Sequence, residues 1–391
     1  AAGPVLLVFG RGRFGLEAGE AYAAAVVGTA LTLATIFGTA MLLSLDFLEF
    51  GRRGLLRLFG RKGAPEDGAK EADDAPATPA ARERSARPAY TADSANAGGE
   101  RTDGQRPEPK STDASKHGKP FGRRRALASG GALLAAPTLS TYASTFGRWD
   151  YEIVEHVVSL PGLPRALDGF TLVQLSDIHV GAFVAESQLR AAVDRAGAAG
   201  GDLIVLTGDL LDHEARYAPR LGRLVRDLTP YARHGVAAIL GNHDHYAGPE
   251  DVAEAVRGGG GRMLVNDGFS VEPGLAILGV DDLWARGNAG PDIDAALQAV
   301  DPTHARVLLC HQPAYFHDHA GVAGLQLSGH THGGQIALGI NPASLVLPHG
   351  YVRGRYEKNG AELYVNRGFG TAGPPARLGS PPEITKIVLT S

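Results

Sequence analysis

The chain has almost no cysteine. Cys310 is the only one among 391 residues, so an internal disulfide framework is excluded. A strong charge of one sign is also missing: the net charge is −4, which argues against a nucleic-acid-binding character. Gly258–Gly261 is followed by Arg262 and not by a P-loop lysine, so this glycine run is a flexible loop and not a phosphate cradle. Charge itself is missing from two long stretches, Ala21–Leu45 and Ala126–Phe146.

The first stretch, 25 residues from Ala21 to Leu45, is long enough to cross a hydrocarbon core as a helix. The alternative is a buried helix of a soluble protein. Residues 51–125 are dominated by Pro, Gly, Ala, Ser and charged side chains. Such a segment buries too little apolar surface to offset its chain entropy, so a disordered loop is expected. Basic residues cluster at its ends, at Arg52, Arg53, Arg57, Arg61 and Lys62 and again at Arg123, Arg124 and Arg125. Positive charge beside a membrane segment favours the cytoplasmic side. The second stretch, 126–146, has Pro137 inside it. It reads as a second transmembrane helix, a twin-arginine or Sec-type signal anchor, or a soluble connector. On the first two readings everything after Phe146 lies outside the cytoplasm, beyond a bacterial cytoplasmic membrane. The expected plan is therefore a membrane segment at 1–50, a basic cytoplasmic loop at 51–125, a membrane or signal-anchor helix at 126–146, and a catalytic domain at 151–391.

From Trp149 onward, short apolar runs alternate with amphipathic stretches, as in an α/β domain. Strands are expected at Phe170–Ser176, Leu203–Thr207, Val236–Leu240, Leu275–Val280, Arg306–Cys310 and Ile384–Leu389, and helices at Ser187–Ala199 and Pro219–Leu228. Asn359-Gly360 marks a hairpin turn between Arg355–Lys358 and Ala361–Val365.

Several of these strands run straight into polar residues: Asp177-Ile178-His179, Gly208-Asp209, Gly241-Asn242-His243-Asp244 and His311. Further on stands Gly329-His330-Thr331-His332-Gly333-Gly334. Open α/β sheets place ligands beyond the carboxyl ends of their strands, so these segments are expected on one rim. Carboxylate and imidazole together suit Mn²⁺, Fe²⁺ or Zn²⁺. In Asp-x-His and His-x-His the period-two alternation of a strand would point both side chains the same way. Asp209 is the candidate carboxylate to bridge two ions.

The ordered set D-x-H, G-D, G-N-H-D, H and G-H-x-H, over residues 177–332, resembles the calcineurin-like metallophosphoesterase superfamily. The resemblance implies a four-layer α/β/β/α sandwich with two mixed sheets, here preceded by two transmembrane helices. It implies two divalent ions, Mn²⁺ foremost, with Fe²⁺ or Zn²⁺ as substitutes. Asp177, His179, Asp209 and His332 would hold the first ion; Asp209, Asn242, His311 and His330 would hold the second. A hydroxide bridging them would attack phosphorus. His243 would contact the phosphate and assist the leaving oxygen, and Asp244 would orient His243. His245 and Arg367 are candidate substrate contacts. Gly329–Gln335, Asn366-Arg367-Gly368 and Pro381-Pro382-Glu383-Ile384 are similar to a bacterial membrane-associated branch with UDP-2,3-diacylglucosamine pyrophosphatase-like members. The implied substrate is an envelope or lipid-linked phosphodiester or pyrophosphate. The alternatives are a phosphomonoesterase on nucleotides or sugar phosphates, and a non-catalytic metal-binding regulatory module.

Overall fold

The computed structural model describes residues 123–391, except 286, 288, 338–340 and 342, together with five helical positions at 28, 31, 32, 34 and 35. Apart from those few positions, the expected span at 21–45 and the expected loop at 51–125 lie outside the described residues, up to Arg123.

Two six-stranded sheets form the centre. The first has the order β1 (Glu152–Ser159), β12 (Glu383–Thr390), β2 (Thr171–Leu175), β3 (Leu203–Thr207), β4 (Val236–Ile239), β5 (Arg262–Met263). The second has the order β10 (Gly354–Lys358), β11 (Ala361–Val365), β9 (Leu325–Ser328), β8 (Ala305–Leu309), β7 (Leu275–Gly279), β6 (Asp267–Val271). Both sheets are mixed. In the first, β12 runs antiparallel to β2 and the other pairs are parallel. In the second, β10–β11 and β6–β7 are antiparallel and the three inner pairs are parallel.

Leu172, Leu203, Val205 and Ile239 from the first sheet meet Ile277, Val307, Leu309, Leu325 and Leu327 from the second in one buried cluster. The alternate residues Val173, Leu175, Ile204 and Leu206 face outward onto helices α2 (Glu186–Ala199), α3 (Ala218–Leu228) and, beyond α4 (Asn242–Ala247), α5 (Pro249–Gly258). This is why β2 and β3 are apolar at nearly every position: both faces are covered. Helix α3 shows the matching helical period. Leu221, Leu224, Val225 and Leu228 fall on one stripe, all buried against the sheet. On the far side, Ala276, Leu278 and Leu308 pack against α6 (Ile293–Gln298) and Tyr315; α7 (Phe316–His319) follows. The expected layers are all present.

The expected strands and helices recur within a residue or two, and Asn359 (φ 55°) and Gly360 (φ 76°) make the hairpin turn between β10 and β11. Four strands have no counterpart in the sequence reading, among them the two-residue β5. In β9, Gln326 and Ser328 interrupt the apolar pattern; they are buried and bonded to each other, Nε2 to Oγ, at 3.0 Å. Strand β1 is an edge strand with largely exposed side chains, paired in parallel with the C-terminal β12. Strand β6 is the opposite edge of the second sheet and mostly unburied.

Residues 126–145 are helical, in α1 (Arg123–Thr145). Among the described residues, however, no helix is long and apolar enough to cross a membrane. The C-terminal half of α1 is docked on the α/β domain: Ala136, Ser140, Ala143 and Ser144 are buried, and Ala143 packs with Ala376 and Leu378. Residues from Gly130 on fall in one compact unit.

Candidate metal centre

The carboxyl ends of β2, β3, β4, β8 and β9 carry the polar motifs, and the loops after them converge. The convergence does not come from strand alternation, as the sequence reading supposed. Asp177, His179, Asp209, His330 and His332 all have positive φ, between 50° and 71°. They sit in tight left-handed turns just past the strand ends, a costly conformation for side-chain-bearing residues that persists where its surroundings impose it. Here the surroundings are hydrogen bonds: Asp177 N donates to Gly208 O at 3.0 Å, His179 N to Asp209 O at 3.0 Å, and His330 N to Asp177 Oδ1 at 3.0 Å. Two glycines permit the crowding. A Cβ on Gly208 would lie 2.6 Å from the His311 ring, and one on Gly329 would lie 1.8 Å from Ser176 Oγ.

Two clusters result. In the first, His332 Nε2 lies 3.1 Å from His179 Nε2 and 3.3 Å from Asp177 Oδ1. In the second, His311 Nε2 lies 3.2 Å from Asp209 Oδ2, and His330 Nδ1 lies 2.9 Å from Asn242 Oδ1. Asp209 stands between them, with Oδ2 also 3.7 Å from His179 Nε2. The groups Asp177–His179–His332 and Asp209–His311–His330 each bring three ligand atoms within 4.8 Å of one another. These separations suit donors that share one ion at roughly 2.0–2.2 Å each.

The His311 ring makes the fit specific. Its Nδ1 donates to Thr207 O at 2.8 Å, and its buried Nε2 has no hydrogen-bond partner. A backbone carbonyl fixing one nitrogen while the other points inward is how metal-binding imidazoles are oriented. The electrostatics agree. Burial pushes His330 down to about 3, helped by His311. Burial, His179 and Arg377 push His332 well below its usual value. Burial opposes ionisation of Asp209, yet His311 and His179 bring it below the normal carboxylate range.

His243 offers a ring nitrogen within 4.8 Å of ligand atoms from His179 and Asp209. Its Nδ1 donates to Asp212 O at 3.0 Å, and Asp212 Oδ1 lies 3.4 Å from the same nitrogen. Burial lowers the pKa of His243, but Asp212 and Asp209 outweigh it and raise the net value. The expected orienting residue, Asp244, does something else. Its carboxylate accepts from Leu211 N at 2.8 Å, Gly241 N at 2.9 Å and Leu210 N at 3.1 Å. It ties the loop after Asp209 to the turn that bears Asn242. Burial and Asp209 raise its pKa to about 6. Three backbone donors are already directed at it, so it is not free to face the His243 ring.

The two expected substrate contacts are also engaged elsewhere. His245 Nε2 is 2.7 Å from Asp281 Oδ1. Arg367 pairs with Glu383 and, at 2.7 Å, with Glu152; its aliphatic part packs against the turn at Gly333. It buttresses the ligand turn.

Three residues near the centre escaped the sequence reading. Asp212, three positions after Asp209, had a local signal in the motif Gly208-Asp209-Leu210-Leu211-Asp212. Trp284 sets its ring edge-on to His330 at 5.1 Å, on a loop fixed by Asp282 Oδ1 accepting from Trp284 N at 2.7 Å and Gln312 Nε2 at 2.9 Å. Arg377 gave no signal at all. It is fully buried. Its guanidinium donates to Gly368 O, Gly370 O and Ser380 O at 2.6–3.1 Å, and Nη2 lies 3.2 Å from His332 Nδ1. Those carbonyls offset the cost of burying the charge. Its backbone N donates to Ala143 O of α1 at 3.0 Å.

The model of the family described as calcineurin-like phosphoesterase matches residues 170–334. A metallophosphoesterase of Bacillus subtilis, YkuE, is 33% identical over 288 residues, 70% of this chain and 99% of that protein. The chain belongs to the calcineurin-like metallophosphoesterase family. It is thus a metal-dependent phosphoric ester hydrolase, and the family implies divalent metal ions. A Danio rerio relative named as a transmembrane protein with a metallophosphoesterase domain is 32% identical over 278 residues, 66% of this chain and 62% of that one. Among solved structures, a dimetal phosphatase from Danio rerio aligns at 14% identity with a TM-score of 0.39, covering 57% of this chain and 94% of that one.

Proposed function

We propose that this metallophosphoesterase cleaves a phosphodiester or pyrophosphate in an envelope or lipid-linked substrate, with Mn²⁺ as the working ion and Fe²⁺ or Zn²⁺ able to replace it. The observation that carries the reading is Asp209 standing between two Asp/His clusters with His243 at their edge. Asp177, His179, Asp209 and His332 would hold one ion; Asp209, Asn242, His311 and His330 the other. Bound there, the ions supply an activated water and draw charge from the phosphoryl oxygens. The protein's own work is positioning. His311 is fixed through Thr207 O and His330 beside Asn242. His243, oriented by Asp212, which with Asp209 favours its protonated form, gives a proton to the leaving oxygen.

Membrane attachment is part of the proposal. Its support is the charge-free run Ala21–Leu45 and the basic residues Arg52, Arg53, Arg57, Arg61 and Lys62 that follow it. The test uses the full chain, because α1 is docked on the domain. With Mn²⁺, hydrolysis of bis-p-nitrophenyl phosphate is compared with that of p-nitrophenyl phosphate. The expected outcome is a clear preference for the diester. Preference for the monoester would move the assignment to a phosphatase of nucleotides or sugar phosphates.

A further inference from the structure

Two charge-free stretches, far apart in sequence, meet beside the metal centre. One is Ala126–Gly147, most of it in α1; the other is Ile336–Val352, with no Asp, Glu, Lys or Arg among its 17 residues. Ile336 and Leu139 join them, packed with Ala143, Ala376 and Leu378. The second stretch starts just after the ligand turn His332–Gly334 and is tied back to it: Asn341 Nδ2 donates to Gly333 O at 2.9 Å, and Thr331 Oγ1 to Val352 O at 2.5 Å. His349 stacks on His317 at 3.6 Å.

On this anchored loop stands α8 (Ala343–Val346), with Leu345 81% and Val346 80% exposed. Helix α1 adds Leu134 (74%), Phe146 (66%) and Tyr142 (44%), the last two stacked at 6.3 Å. Across the centre, Trp284 is 53% exposed above His330. Single exposed apolar side chains are ordinary, but Leu345 and Val346 are adjacent, and their helix touches the ligand turn His332–Gly334; an exposed pair beside a catalytic rim marks a contact surface.

We infer that Leu345 and Val346, on the loop that follows the ligand turn His332–Gly334, form a membrane-contact face that dips into the interfacial layer of a phospholipid bilayer and presents the metal centre to a lipid-borne phosphoester. The bilayer is the occupant because both stretches lack Asp, Glu, Lys and Arg altogether, as segments entering the boundary between headgroups and acyl chains do. Exposed aromatic rings suit the headgroup level, and Ala21–Leu45 on the same chain is long and apolar enough to keep it at a membrane. The inference rests on the lipid-linked reading proposed above.

The test reconstitutes the full chain in vesicles of phosphatidylcholine and phosphatidylglycerol. Two diesters are compared: water-soluble bis-p-nitrophenyl phosphate and a diacylglycerol p-nitrophenyl phosphodiester embedded in the vesicles. The double variant Leu345→Asp with Val346→Asp is expected to lose at least about tenfold on the lipid probe, as two buried aliphatic side chains warrant, and to stay within about twofold on the soluble one. Equal rates for wild type and variant on the lipid probe, or parallel losses on both probes, overturn the inference. A second reading is independent of catalysis. Val346→Cys carries a bimane label, since Cys310 is buried. Doxyl-labelled phospholipid should quench it in vesicles, and absence of quenching overturns the contact face. Quenching without hydrolysis of either diester by the wild type would leave the face standing and remove the proposed function.

Discussion

Two histidines at opposite ends of the metal centre share one degree of burial and have opposite charge preferences. His311 and His332 are both buried, and burial alone favours the neutral ring of each. Around His311, the carboxylates of Asp209, Asp177 and Asp282 overcome burial and raise the pKa well above normal. Around His332, His179 and the Arg377 guanidinium add to burial, and the pKa falls well below normal. The environment of the ring, and not its depth, decides its charge. Ligation needs the neutral ring, which the surroundings of His332 favour and those of His311 oppose.

The most severe way to break the comparison is to remove the group both ends share. Asp209→Asn should lose metal and lower activity on the order of a thousandfold; two metals per chain by elemental analysis would refute the sharing. His243→Ala comes next. It should cost roughly a hundredfold in kcat while metal content stays near wild type, and a fully active metal-loaded variant would remove the proton-donor role. Arg377→Met sharpens the contrast itself. Metal affinity should fall about 10–100-fold, with His332 no longer held by a guanidinium; unchanged affinity in a chelator titration would show that the turn holds itself.

The smallest effect is one of pH. His330 is pushed down to about 3 in the folded chain from an ordinary 6.5. Below about 6.5 the unfolded chain takes up this proton and the folded chain does not, until about pH 3. Its contribution is therefore intact above 6.5 and lost as pH falls through that window, at up to about 1.4 kcal/mol per pH unit. Denaturant midpoints of chelator-treated protein should fall less steeply with acidification in His330→Gln than in wild type. Equal slopes would count against the shift.

The same contrast marks where sequence reading worked. The ligand set was legible because each member stands in a short motif after an apolar run. Asp177, His179, Asp209, Asn242, His311, His330 and His332 come together in the two expected clusters. The reading erred where a partner is remote. Asp244 is next to His243 in sequence, but its carboxylate turns to three backbone amides, and Asp212 faces the ring instead. Arg367 follows an apolar strand and reads as a free cation until Glu152 and Glu383 are seen on either side. Strand β9 was missed because its Gln326 and Ser328 satisfy each other only once buried.

What the sequence determined by itself is the order of chemistry along the chain: apolar runs of strand length, each ending in metal-ligand types, and long stretches without charge. Those are local properties, written in composition and spacing. What only the tertiary structure decided is orientation. Left-handed turns at five ligands, imposed by hydrogen bonds from neighbouring loops, aim the donors inward. A buried arginine from the C-terminal loop braces one of them. The packing of Ile336 and Leu139 onto Ala143, Ala376 and Leu378 brings two uncharged segments to one side of the centre. Each of these depends on contacts between residues far apart in the chain, and no local pattern encodes them.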